Sequence, residues 1–590
     1  MLGKIISIED NTVTIKLEIE VDKIQSLTNL LVIMQDSKNN FIGEITNIQK
    51  ETAEINLLGE MVNDKFVFGI VRKPSFGAVI KLVSKEKVKS MISVDDYSEE
   101  KDLYVGKSII YDGVDICVNI NSFFSEHFAI FGSTGSGKSC SVSRLIQNVF
   151  SKTRQIPYKA SLFIFDAYGE YHSAFTKLHD NVPEINFKAY TTNVNSTDTE
   201  ILKIPLWLLG VDDIALLLGA TKHSQLPIIE KALKLVSIFA KDESEVIKIK
   251  NDIIARALLD ILSSGRESSQ IRDQIFSVLS YYYTSELNLD TTVEQPGYSR
   301  ALKQCFNLDS TGKIREMELI MSFFTSYLTE DYELNLPDGS FKYNLHDLKD
   351  AFDFALISEG VLKSDRIYDE TNILKVRLHS LVNSDDAEYF NYPTYISRAN
   401  YIRELLTAKN GKKAQIINFN INYIDDRLAK TITKIYSKML FDYSKDTKVR
   451  GTLPFHIILE EAHRYVQNDN DVFLLGYNIF ERITKEGRKY GVLLGFISQR
   501  PSELSETAIS QCSNFMIFKM LHPKDVEYIK EMLPNVTNSI IKRLRILQPG
   551  SCVAFGSAFK IPVLIKMDMP DPSPSSSSCD ISNSWFVEKH

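Results

Sequence analysis

The amino-acid sequence predicts an α/β core preceded by a small antiparallel β-barrel and interrupted by a mainly helical insert. Three observations predict it. Residues 1–90 are short alternating runs separated by Asn, Asp, Ser and Gly turns. Residues 105–204 and 406–569 are apolar runs of strand length, most of them followed by a helix-period segment, the rhythm of a parallel sheet. Between these halves, residues 205–405 space their apolar side chains three or four apart. With 590 residues, 44% hydrophobic and 24% charged, the chain is long enough for several globular domains.

In the barrel the runs KIISIED, TVTIKLEIEV, NLLVIMQD, FIGEITNIQ, TAEINLLGEM, FVFGIV and GAVIKLV supply five to seven strands. The barrel carries no catalytic constellation. It reads as an assembly module or as a docking surface for a nucleic acid or partner, and its aromatic and basic residues do not cluster as a stacking platform would. An acidic linker, Asp95 to Asp102, leads to strands near Ser108–Tyr111 and Val114–Ile120.

The core is organised around Phe128-Ala-Ile-Phe-Gly-Ser-Thr-Gly-Ser-Gly-Lys-Ser139. A short buried strand runs into a glycine-rich turn and then into a helix with apolar positions Val142, Leu145, Ile146 and Val149. The turn fits G-x-x-x-x-G-K-[ST] at Gly132, Gly137, Lys138 and Ser139. Glycines let backbone N–H groups converge on phosphate oxygens, the helix N-terminus adds partial positive charge, Lys138 adds a full one, and the Ser139 hydroxyl can ligate Mg²⁺. Gly132, Ser133, Thr134, Gly135, Ser136, Gly137, Lys138, Ser139 and Cys140 therefore form a nucleotide-phosphate cradle for ATP.

Each later strand brings a polar group to its C-terminal end, where α/β sheets bind ligands. Ala160–Asp166 is followed by Ala-Tyr-Gly-Glu170-Tyr171, so Asp166 and Glu170 are candidates for contact with Mg²⁺ or the attacking water; an Asp-initiated turn ending at Gly169 is the alternative. Ala414–Ile421 is a strand, and Asp425 or Asp426 caps a helix whose buried face is Leu428, Ile432, Ile435 and Met439. Phe455-His-Ile-Ile-Leu ends in Glu460 and Glu461; the first is assigned to hold Mg²⁺ through water and the second to polarise the attacking water. Val492–Ile497 ends in Ser498-Gln499-Arg500, where Gln499 can bond the γ-phosphate or the water. Arg488 and Arg500 lie where a guanidinium of the same or a neighbouring subunit can reach phosphate. Asn514–Met520, the helices Pro523–Met532 and Ser539–Leu547, and strands Ser551–Phe555 and Ile561–Met567 complete the core.

In the insert, the Tyr281-Tyr282-Tyr283 cluster reads as helix core rather than a nucleic-acid surface, and Leu289–Gly297 as a loop. Residues 570–590 form a flexible Pro/Ser-rich tail in which Trp585 and Phe586 can anchor on a neighbouring subunit. The net charge of −8 confines any nucleic-acid contact to a local channel; Lys409, Lys412 and Lys413 offer one such contact, or a solvated turn. Six scattered cysteines without a C-x-x-C pair suggest neither a disulfide framework nor a zinc site, and fit a reducing cytoplasm. No apolar run reaches membrane-spanning length and the N-terminus lacks a signal-peptide core, so no membrane association is expected except through a partner.

GSTGSGKS, FIFDAYGEY, IILEEAHRYV, KEGRKYG and ISQRPSEL, in that order, with a barrel ahead and a helical insert inside, resemble the HerA family of hexameric ATPases within the HerA/FtsK group of P-loop motors. The resemblance implies a RecA-like core, a homohexameric ring with ATP and Mg²⁺ at subunit interfaces, a central pore for double-stranded DNA, and a barrel used for partner docking. By motif, it implies that Lys138 and Ser139 bind phosphate and Mg²⁺, Glu461 is the catalytic glutamate, Gln499 the sensor and Arg488 the phosphate-contacting arginine. Glu460 stands where many members have Asp, and Asp-Ala-Tyr-Gly-Glu replaces the commoner Asp-Pro-His-Gly-Glu. No trans-acting arginine is placed beside the cradle, because Glu126 and His127 occupy that neighbourhood. Two functions follow from the resemblance: a motor feeding DNA to a NurA-like nuclease, or a ring-shaped scaffold that activates an effector such as a sirtuin-like NAD-consuming enzyme in anti-phage defence. A membrane-anchored pump is disfavoured.

Overall fold

A computed structural model describes residues 1–18, 27–36, 39–63, 65–94, 97–151, 156–240, 243–295, 297–329, 341–358, 365–532, 538–575 and 581–585. The chain forms two compact units. One comprises Met1–Thr192, Ile402–Asp469 and Asn478–His590; the other comprises Asn193–Tyr401 and Asn470–Tyr477.

The first unit opens with β1 (Gly3–Glu9), β2 (Thr12–Leu17), β3 (Leu31–Gln35), β4 (Asn40–Gln49), β5 (Thr52–Val62), β6 (Lys65–Phe68) and β7 (Val79–Leu82). They pair in the order β1-β2-β5-β4-β3-β7, with β6 added to β5. The Leu2 N–H donates to the Ile80 carbonyl at 2.9 Å, which closes the sheet into a barrel. Alternation makes the inside: in β2, Val13, Ile15 and Leu17 are buried with Val32, Met34, Phe41, Ile45, Ile55 and Ile80.

The α/β core follows with β8 (Asp102–Ser108), β9 (Asp115–Asn119), β10 (Phe128–Phe131), β11 (Leu162–Asp166) and β12 (Phe187–Thr191). The acidic stretch thus ends inside β8, which starts earlier than the sequence suggests; Asp95 and Asp96 lie outside the described residues. The second unit holds β13 (Glu200–Ile201), β14 (Thr292–Gln295) and β15 (Tyr298–Ala301). The core resumes with β16 (Ile416–Asn420), β17 (Phe455–Leu459), β18 (Val492–Ser498), β19 (Asn514–Phe518), β20 (Ser551–Gly556) and β21 (Phe559–Lys566).

Strand order in the core is β12-β16-β11-β17-β18-β10-β19-β20-β21-β8-β9. Pairing is parallel from β12 to β19 and antiparallel beyond it. Because helices cover both faces of a parallel sheet, FAIF, LFIFD and VLLGFIS are buried at every position instead of alternating. The C-terminal ends of β10, β11, β17 and β18 therefore converge on one edge. Asp425, not Asp426, caps the helix Asp426–Lys445: its carboxylate accepts from the Leu428 N–H at 2.7 Å.

The second unit is mainly helical. Helices Leu226–Phe239 and Leu345–Ser358 pack on each other through Ile229, Ala232, Val236, Leu348, Ala351 and Phe352. The segment expected as a loop at Leu289–Gly297 is instead largely a hairpin, β14 against β15, with Gly297 at φ +98° in its turn. The tyrosine cluster is not core either: Tyr281 and Tyr283 are exposed, while Tyr282 packs edge-on to Phe354 with the Tyr281 ring beside it. Four-residue strands on either side of a turn glycine carry too little alternation to separate a hairpin from a loop.

Two more expectations change. Lys413 is neither a free contact nor a solvated turn residue; its ammonium bonds Lys159 O, Ala160 O and Ser161 Oγ, and burial pulls its pKa down to about 8. The tail from Pro570 is held as far as Ser575: Gln147 brackets the Asp571 N–H and Pro572 carbonyl, and the Ser575 N–H donates to the Glu170 carbonyl at 2.9 Å. Residues Ile581–Trp585 are helical with Trp585 exposed, whereas Phe586 lies outside the described residues. Cys117, Cys140, Cys305, Cys512 and Cys552 are free thiols; Cys579 is outside the described residues. Among the described residues no helix is long and apolar enough to cross a membrane.

Candidate active site

The cradle is fixed by backbone bonds to its neighbours before any side chain is considered. Gly132 N–H donates to Ser498 O at 3.2 Å, Ser133 N–H to Lys519 O at 2.9 Å, and Gly550 N–H to Ser136 O at 2.8 Å. Gly137 sits at φ +84°, and a Cβ there would lie 2.6 Å from Gly550 N, so this turn tolerates only glycine. The helix Lys138–Ser151 then starts with its N-terminus at the turn.

Lys138 is buried, with its ammonium 3.5 Å from Gly132 O and 3.7 Å from Glu461 Oε1. Gln499 bridges the cradle to that same glutamate: its Nε2 donates to Glu461 Oε1 at 3.2 Å, and its Oε1 accepts from Thr134 Oγ1 at 2.6 Å. Glu461 adopts a left-handed conformation, φ +47° and ψ +47°, which is uncommon outside glycine and Asn. A residue held in such a region stores strain of about 1–3 kcal/mol, and here the strain turns the carboxylate from the end of β17 toward Lys138.

Glu460 points differently. It is buried, its Oε2 accepts from the Ala167 N–H at 3.1 Å, and its carboxyl meets Asp166. Burial, then the Asp166 charge, raise the Glu460 pKa well above the carboxylate range. Asp166 closes the turn that follows β11, accepting from the Glu170 and Tyr171 N–H groups at 3.0 Å and from Asn418 Nδ2 at 3.3 Å. The turn reading of Asp166 is therefore realised. Glu170 ends this turn, and burial, then Glu170, push the half-buried Cys140 thiol up.

The structure does not bring the two arginines into the cradle. Arg488 lies in the turn Gly487–Lys489 before β18, while Gln499 follows its other end. At about 3.3 Å per residue the two ends of β18 are roughly 20 Å apart. Arg488 instead pairs with Glu126. Arg500 is on the cradle side but half exposed, with Nη1 3.9 Å from Glu503.

Sequence reasoning assigned no role to His463 or Tyr171, and gave Thr134 no partner. His463 Nδ1 is 3.2 Å from Glu461 Oε2 and 3.1 Å from Ser498 Oγ, and burial lowers its pKa, which favours the neutral ring. Tyr171, fully buried, faces Glu460, Asp166 and Glu170 beside Ser139. The signal for His463 was its place two residues after Glu461 in the same motif.

The donor set fits a nucleoside triphosphate with Mg²⁺. Ser136 Oγ is buried in the cradle with no hydrogen-bond partner among the described residues, and the buried Lys138 ammonium makes only long contacts. A phosphate group satisfies both, and Ser139 with the Glu460–Asp166 carboxyls supplies oxygen ligands of the kind Mg²⁺ takes.

The chain is similar to known proteins in sequence and in fold. Residues 103–303 match the family model described as "Helicase HerA, central domain". The chain is 22% identical over 547 residues to the probable DNA double-strand break repair helicase HerA of Methanocaldococcus jannaschii, covering 92% of this chain and 90% of the relative. It is 24% identical over 535 residues to the HerA helicase of Saccharolobus solfataricus, covering 90% and 80%. Among solved structures it is similar to unbound TrwB, a bacterial conjugative coupling protein, with a TM-score of 0.45 at 9% identity over 84% of this chain and 94% of that one. VirB4 of Thermoanaerobacter pseudethanolicus gives 0.40 at 13% identity over 81% and 98%.

Sheet order, cradle and paired carboxylates define a P-loop ATPase. Within that class the chain is similar to the HerA helicases, whose central-domain model matches residues 103–303.

Proposed function

We propose that this protein is an ATP-driven translocase of double-stranded DNA that works as a homohexamer with a partner enzyme such as a NurA-like nuclease. The observation that carries the reading is the Thr134–Gln499–Glu461–Lys138 chain of contacts at the convergent strand ends. Gly132–Lys138 and Cys140 line the phosphate cradle, and Ser139 with Glu460 takes the Mg²⁺ role, Asp166 and Glu170 shaping its far side. Mg²⁺ supplies neutralisation of charge developing on the transferred phosphoryl group.

Within that frame each residue has one task. Glu461 orients and polarises the attacking water, held in place by the Gln499 amide, with the His463 ring beside its other oxygen. Lys138 moves from Glu461 to phosphate when nucleotide is present, which frees the carboxylate for the water. Gln499 senses that change, because its other end is on Thr134 of the cradle. Arg488 completes the charge stabilisation from a neighbouring subunit, since its own cradle is at the far end of β18. Arg500 sits at the rim of the cradle.

The relatives named above as DNA double-strand break repair helicases favour DNA as the track. The test is the ATPase rate of the purified protein with and without linear duplex DNA, with its mass by light scattering and Glu461→Gln as control. A hexamer whose Glu461-dependent rate rises with DNA supports the motor. A hexamer indifferent to DNA replaces it with a ring-shaped scaffold for an effector.

A further inference from the structure

Arg488 is exposed, yet it is not loose. The Gly487–Lys489 turn presses against β18 so closely that a Cβ at Gly487 would lie 2.2 Å from the Val492 carbonyl oxygen. From that turn the guanidinium Nη2 lies 2.5 Å from Glu126 Oε1, with Arg488 57% and Glu126 12% exposed. The other Glu126 oxygen accepts from Ser513 Oγ at 2.9 Å, and the Ser513 N–H donates to His127 O at 2.9 Å. Three chain segments, ahead of β10, β18 and β19, thus hold one carboxylate. Exposed ion pairs generally hold nothing, but this one has a largely buried, doubly bonded acceptor. A guanidinium has five N–H donors in a rigid fork, so engaging one carboxylate oxygen leaves several facing outward.

We infer that Glu126 is the positioning residue for Arg488, fixing the guanidinium on the surface so that the triphosphate bound by a neighbouring copy of this chain meets a preformed donor. The inference rests on the ring reading proposed above. Glu126 acts through Arg488 alone. A positioned donor costs no reorganisation when charge develops, which is how such groups accelerate phosphoryl transfer.

Full-length protein tests this by steady-state ATP hydrolysis, binding of a fluorescent ATP analogue, and mass by light scattering. Arg488→Ala is expected to lower kcat about a hundredfold. Glu126→Ala should lower kcat about tenfold with KM, analogue binding and mass unchanged, and Glu126→Asp should recover part of the loss. Adding Glu126→Ala to Arg488→Ala should cost nothing more, because the two act as one unit. Should Glu126→Ala misfold, Glu126→Gln keeps the volume and the Ser513 bond, drops the charge, and is expected to lose several-fold in kcat. An unchanged or raised kcat in the Glu126 variants, or a further multiplicative loss in the double variant, overturns the inference while leaving Arg488 in trans. An Arg488→Ala protein with full kcat overturns the trans arginine itself.

Discussion

The two ends of the parallel sheet are built on opposite principles. At the C-terminal end, Lys138, Glu461 and Gln499 sit close together, and the two charged members are buried, so each side chain has its partner inside the same chain. At the N-terminal end, buried His127 and the nearly buried Glu126 support one arginine that points into solvent. The first end can bind a substrate alone. The second presents a supported donor outward, which is what the proposed sharing of each site between neighbouring copies requires.

Four substitutions break or sharpen that contrast. The largest effect is expected at the C-terminal end: Glu461→Gln keeps the hydrogen bond from Gln499 but cannot polarise water, so kcat should fall at least a hundredfold, about 3–4 kcal/mol on the barrier, with nucleotide binding retained. Wild-type turnover in this variant would move the chemistry elsewhere.

His127 probes the support at the other end. It is fully buried, its Nδ1 accepts from the Leu494 N–H at 2.9 Å, and burial, then Arg488, lowers its pKa to about 4. Between about pH 6.5 and pH 4 the unfolded chain binds a proton here that the folded chain does not. Stability should therefore rise with pH across this window, by about 3 kcal/mol at most. Denaturant melts at pH 5 and pH 7 should show this slope, and His127→Gln, whose carbonyl can still accept from Leu494, should flatten it.

Gly487→Ala forces the Arg488 turn off β18. Its cost to stability should be about 1–3 kcal/mol, with ATPase activity lost more steeply than nucleotide affinity; equal losses in both would make the turn merely structural. The smallest effect belongs to Thr134→Val, which cuts the link from cradle to Gln499 at the loss of one hydrogen bond, about 1 kcal/mol. A several-fold drop in kcat with unchanged nucleotide affinity is the expected reading.

What was legible in the sequence followed from local chemistry. The cradle announced itself because only glycine serves at positions such as Gly137. The strand ends at Asp166, Glu461 and Gln499 stood out because a polar residue closing a buried apolar run lies where a parallel sheet binds its ligand. Five to seven barrel strands could be read from alternation, and the structure has seven. Facts set by distant pairing were not legible. That Glu460 turns to Asp166 while Glu461 turns to Lys138 depends on a backbone angle of Glu461, and nothing in Glu-Glu marks which is which. The anchoring of Lys413 on residues 159–161, and of Arg488 on Glu126, joins segments more than 250 residues apart. The β14–β15 hairpin was hidden because its strands are four residues each, too short for periodicity to register.

The strap at Asp571–Ser575 has a consequence for how the molecule is made. Gln147, on the helix that begins at Lys138, waits 424 residues for the Asp571 N–H, and the cradle carbonyl of Ser136 waits for Gly550. At about 5–20 residues per second, that is on the order of 20–90 s of synthesis. During that time the nascent chain carries a nucleotide-binding turn without its backing, so the earliest moment at which it grips ATP firmly is close to the moment its last core strand leaves the ribosome.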